Sequence, residues 1–148
     1  MAIGAATGTV TVFPRWQAGL EYTAVGTYTI GAILAAADTI TFANMLPKGA
    51  QILGVDFISN ELDTNATPTG TVTVGTAVSA AAYISSVSVG LAAAGNTQVK
   101  VSSNVVAGLG GDAVQADTSI VVTFPAAFAT GAATGVIVVT VRYYCKGF

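Results

Sequence analysis

Residues Asp38–Asn65, DTITFANMLPKGAQILGVDFISNELDTN, decide the fold. The stretch opens with strict alternation, Ile40 and Phe42 against Thr39 and Thr41. Successive side chains of a strand point to opposite faces, so this pattern predicts a half-buried strand. Pro47-Lys48-Gly49 then predicts a corner. A second strand is expected over Ala50–Leu62, with Leu53, Val55 and Phe57 on the buried face and Ile52, Gly54, Asp56 and Ile58 on the other. A helix is disfavoured there, because a glycine such as Gly54 costs about 1 kcal/mol in a helix interior. The stretch ends in Asp and Asn, which bond to their own backbone and make turns.

The same grammar runs through the rest of the chain. Val10 and Val12 alternate with threonines in Thr7–Phe13, as do Tyr28 and Ile30 in Gly26–Leu34. Thr71–Val74, Thr118–Phe124 and Gly135–Tyr144 are further strands. In the last, Ile137, Val139, Val141 and Tyr143 form one apolar row, facing the core, while Val138, Thr140, Arg142 and Tyr144 form the other. Loops are expected at Asp63–Gly70, at Ala107–Asp112 and at Phe124–Gly135, the last long enough to cross between sheets. The Ala-rich patches GAILAAAD, SAAAY and GLAAAG have room for a turn or two of helix, too short to be stable alone. About eight strands with irregular connections argue for an all-β, single-domain β-sandwich. An immunoglobulin-like sandwich fits the pattern too; the long, uneven connections favour a jelly roll. Residues 1–25 are expected to form an extended N-terminal arm, and residues 26–148 the sandwich.

Composition narrows the function. Of 148 residues, 53% are hydrophobic and 8% charged, against roughly 25% charged in an average soluble domain. Part of the apolar excess is expected in contacts between copies, since an obligate interface resembles a core cut in half. No run reaches the roughly 20 apolar residues of a transmembrane helix, so no membrane partner is expected. The start, MAIGAATGTVTVFPRW, lacks the basic and apolar regions of a secretory signal, which puts synthesis in the cytoplasm of the producing cell. The five cations, Arg15, Lys48, Lys100, Arg142 and Lys146, are scattered, and without a cluster to displace counterions no nucleic-acid partner is expected. The lone Cys145 has no intramolecular disulfide partner.

Chemistry is sparse. Histidine is absent, which removes the commonest general base and the Ser-His-Asp arrangement. The acids Glu21, Asp38, Asp56, Glu61, Asp63, Asp112 and Asp117 sit largely in turns or at strand starts, where Asp caps nearby N–H groups. No catalytic residue and no cofactor is assigned. A calcium site is considered at Glu61, Asp63 and Asn65, whose oxygens suit Ca²⁺; six to eight ligands are needed, and a plain Asx-rich turn is the simpler reading. GLGGD lacks the Lys-Ser or Lys-Thr of a phosphate loop. Arg15, Trp16 and Tyr22 are candidate partner-binding residues, Trp and Arg being enriched at interface hot spots. Tyr83, Tyr143 and Tyr144 are the aromatics a carbohydrate-binding module would use.

Thr27–Gly75 resembles a family of small structural proteins of tailed bacteriophages. The resemblance is carried by Asp38-Thr39-Ile40, Leu46-Pro47-Lys48-Gly49-Ala50, Glu61-Leu62-Asp63 and Val74-Gly75, with ATGAATGVIVVTVRYY similar to the family's final strand. It implies a virion protein, foremost a capsid-decorating (cement) protein on the outside of the head, assembled as a homo-oligomer, often a trimer, with the major capsid protein as partner. Tail, neck or fibre components and an adhesin module are the alternatives. On this reading, deleting residues 1–25 leaves a folded β-domain that no longer binds shells.

Overall fold

The computed structural model describes residues 4–11, 20–88, 98–103 and 117–145. Ten strands occur there: β1 Ala5–Thr7, β2 Thr9–Thr11, β3 Glu21–Ile30, β4 Thr39–Leu46, β5 Ala50–Asn60, β6 Thr71–Gly75, β7 Ile84–Ser88, β8 Gln98–Ser103, β9 Thr118–Thr123 and β10 Gly135–Cys145. They form two five-stranded sheets, β1-β4-β9-β6-β7 and β2-β3-β10-β5-β8. The architecture is an all-β sandwich, and its strand order is compatible with a jelly roll. No helix occurs among the described residues, so Gly31–Asp38 and the segment around Ser79–Ala82 are bends and turns. The 90–95 patch and the Ala107–Asp112 loop lie outside the described residues.

One long strand was expected over Thr7–Phe13. The chain instead changes sheets at Gly8. β1 pairs in parallel with β4, and β2 pairs antiparallel with β3 of the opposite sheet. This strap therefore closes one side of the sandwich. Gly8 N–H donates to Thr41 O at 2.9 Å. Only glycine fits there: a Cβ would lie 2.2 Å from Phe42 Cε1, and one on Gly26 would lie 2.5 Å from Phe42 Cδ1. Phe42 is fully buried in this slot. The expected arm boundary at residue 25 accordingly falls inside β3, and residues 5–11 belong to the sheets.

The core follows the alternation with one shift. Ile137, Val139, Val141 and Tyr143 are all fully buried, as the pattern predicts. They meet Ile40, Phe42, Ile120, Val122, Val72 and Val74 of the other sheet in one cluster. In β5, Val55 and Phe57 point inward as expected, but Ile52 and Ala50 join them and Leu53 does not. The cause is a bulge. Arg142 pairs with Gly54 and the next residue, Tyr143, with Ile52, so Leu53 has no counterpart on β10. The Pro47 corner is a turn closed by Ala50 N–H donating to Pro47 O at 3.0 Å, with Gly49 at φ 85°, where glycine is favoured.

Candidate functional site

Ile30 pairs with Gly135, and Ser59 with Ile137. These registers bring the loops after β3, after β5 and before β10 to the same end of the sandwich. Asp63 sits between them, fully buried. Its Oδ2 accepts N–H bonds from Thr69 (2.8 Å), Gly70 (2.9 Å) and Ala129 (3.0 Å). Its Oδ1 accepts from Thr130 (2.9 Å) and Asn65 (3.3 Å). Burial alone pushes this carboxyl up; the N–H donors of Thr130, Gly70, Ala129 and Thr69 outweigh it and hold the pKa at about 2, below the ordinary 3.8. One carboxylate thus fastens the β5–β6 loop to the β9–β10 loop.

Supporting bonds surround this clamp. Thr64 N–H donates to Thr130 O (2.9 Å), and Ala132 N–H to Leu62 O (2.9 Å). Asn65 Nδ2 donates to Thr130 Oγ1 (3.1 Å), and Thr69 Oγ1 to Ala127 O (2.8 Å). Phe128 packs on the buried Phe124 with ring centroids 5.7 Å apart. A second buried acid, Asp38, accepts N–H bonds from Gly4 (2.9 Å) and Ala35 (2.8 Å), tying the strap to the β3–β4 loop. The three loops contain no Lys or Arg, and Ile33 and Val136 are exposed at this end.

The opposite end is built differently. Asp117, exposed, accepts one N–H bond from Lys48 at 2.8 Å. Asn44 N–H donates to Ser119 Oγ at 3.1 Å. Arg142 and Glu21 face each other at 3.9 Å, both well exposed, a pair worth little in water. Tyr144 OH donates to Gln51 Oε1.

The candidate residues fare unequally. Glu61, Asp63 and Asn65 do not form a calcium cage. Both Asp63 oxygens face amide hydrogens, a cradle that suits the carboxylate itself and repels a cation, and Asn65 Oδ1 accepts from Thr67 N–H at 2.9 Å. No group of three or more Cys, Asp or Glu among the described residues is arranged to hold a metal ion. Tyr22 stacks on buried Tyr143, centroids 6.0 Å apart, so it packs inward on β3. Arg15 and Trp16 lie outside the described residues. Tyr143 and Tyr144 occupy opposite faces of β10, and Tyr83 is half-buried on the other sheet's side, its N–H bonded to Val74 O at 2.9 Å. The three tyrosines therefore do not converge. The reach of Asp63 to residues 66 and 67 positions away had no local signal beyond its turn-forming neighbours.

No family model and no curated protein matches the sequence. Solved structures do. A chain of the cyanophage Pam1 capsid asymmetric unit is 31% identical, with a TM-score of 0.69, over 91% of this chain and 91% of that one. A chain of the capsid of Ralstonia phage GP4 has a TM-score of 0.73 at 20% identity over 93% of this chain and 92% of that one, a likeness of fold. The match to the Pam1 chain spans nearly the whole of both sequences, and on that ground this chain belongs to the same family of phage capsid structural proteins.

Proposed function

We propose that this protein decorates the outside of a phage head as a cement protein, binding the major capsid protein and copies of itself and catalysing nothing. The observation that carries the reading is the near full-length kinship with a chain of a capsid asymmetric unit. The build of the molecule supports it. The sandwich is stiffened at one side by the strap and at one end by the Asp63 clamp, and its most unusual carboxylate is committed to five amides. A cement protein requires a rigid body and several weak attachment points, because linked subunits multiply affinity through effective concentration. Arg15 and Trp16 are the proposed gripping residues, with Tyr22 bracing the strand that follows them.

The test is shell binding. Purified protein is added to heads that lack it, and occupancy is read by cryo-electron microscopy. Ordered density on the outer surface, and shells that withstand more heating, are expected. The double variant R15A/W16A should bind about tenfold more weakly or worse, as loss of a hot-spot residue predicts, with unchanged thermal stability. This replaces deletion of residues 1–25, which would also remove β1, β2 and half of β3. Density confined to the tail or neck, or no binding to heads at any concentration, overturns the proposal.

A further inference from the structure

We propose that the strap is exchanged between copies, so that residues 4–11 of one molecule seat in the socket formed by β4, Phe42 and β3 of the next. The proposal deepens the assembly reading above and rests on it only in requiring that copies meet. Four strands of each sheet, β4-β9-β6-β7 and β3-β10-β5-β8, pair without any help from the strap. The strap is an added strand on the outer edge of both. It is held by backbone groups, one carboxylate and the packing of Ala6 and Val10 on the core, all of which any copy presents identically. Thr39 N–H donates to Gly4 O (2.9 Å), Gly4 N–H to Asp38 Oδ1 (2.9 Å), and Gly8 N–H to Thr41 O (2.9 Å). The notch at Gly8 then fits over the Phe42 ring. This is strand addition to an exposed sheet edge, with a glycine notch in place of a side-chain pocket.

Chain length permits the exchange. A stretch as long as residues 12–20 can span up to about 30 Å when extended, enough to reach an adjoining sandwich. An empty socket would leave two unpaired sheet edges and an uncovered phenylalanine, a surface that recruits strands. Each copy that gives its strap away must therefore receive one, and a closed ring of givers and receivers satisfies every socket.

The test uses a disulfide trap in the full chain. Thr7 and Thr41 are direct partners in the β1–β4 ladder, which places cysteines at these positions in bridging range. T7C/T41C is made in a C145S background, oxidised as purified protein without shells, and run denatured and unreduced. Exchange predicts that most of the oxidised protein migrates as covalent oligomers. Bridges found only within single chains overturn the proposal, and so does a protein that forms no bridge at all, since Thr7 and Thr41 would then never meet. Because no shell is present, failure to decorate heads and failure to exchange straps are read separately.

Discussion

The two ends of the sandwich each use an aspartate to hold backbone, with very different investment. Asp63 is buried and takes five N–H bonds from two loops. Asp117 is exposed and takes one, from Lys48. At the clamp end Leu34, Leu62 and the Phe124–Phe128 pair anchor the loops in the core, and a buried charge in low dielectric adds the bonds that hold one loop to the other. At the other end the corner is already fixed by Pro47 and Gly49, and its aspartate has little left to organise. Burial, and not residue type, decides which carboxylate matters.

The largest expected break of this contrast is D63A. It leaves five amides facing a void, and the loss of a buried charged acceptor costs about 3–5 kcal/mol. For a domain of this size the melting temperature should fall by roughly 10 °C, measured by calorimetry. Acid is the milder version. The folded pKa of Asp63 is about 2, below the ordinary 3.8. Its stabilisation is therefore fully present above about pH 4 and is lost as pH falls through about 2, a contribution of roughly 2 kcal/mol. Hydrogen exchange at pH 2 should rise in 63–70 and 129–132 before it rises in β10; uniform protection at that pH would show that the clamp is not the weak point. The smallest effect is D117N, which should change stability by under about 1 kcal/mol. A D117N loss equal to that of D63A would erase the distinction between the ends.

Much of this fold was legible. The inward row of β10, the corner at Pro47, the Asx-rich loop and the crossing between Phe124 and Gly135 all follow from alternation and turn chemistry. Three features were not. β7 and β8, ISSVS and QVKVSS, are edge strands whose Ser, Gln and Lys make them too polar to stand out from loops. The split of Thr7–Phe13 at Gly8 depends on the ring of Phe42, far along the chain and invisible to local periodicity. Asp63 was read as a turn former, which it is; its five-fold coordination requires the β9–β10 loop, and no spacing rule links residues so far apart. The alternation of Glu61, Asp63 and Asn65 is silent for the same reason, because oxygens that alternate along a chain say nothing about what faces them.

The unmatched Leu53 also bears on how such a sequence can drift. Dropping a residue from the middle of a strand ordinarily turns everything beyond it inside out. At Leu53 the reverse holds: Gly54 and Ile52 already occupy consecutive positions against Arg142 and Tyr143. Shortening the chain there would leave Ile52 and Ala50 facing inward and merely straighten the strand. Deletion of Leu53 should therefore keep the same interior, which deletion elsewhere in β5 would turn outward.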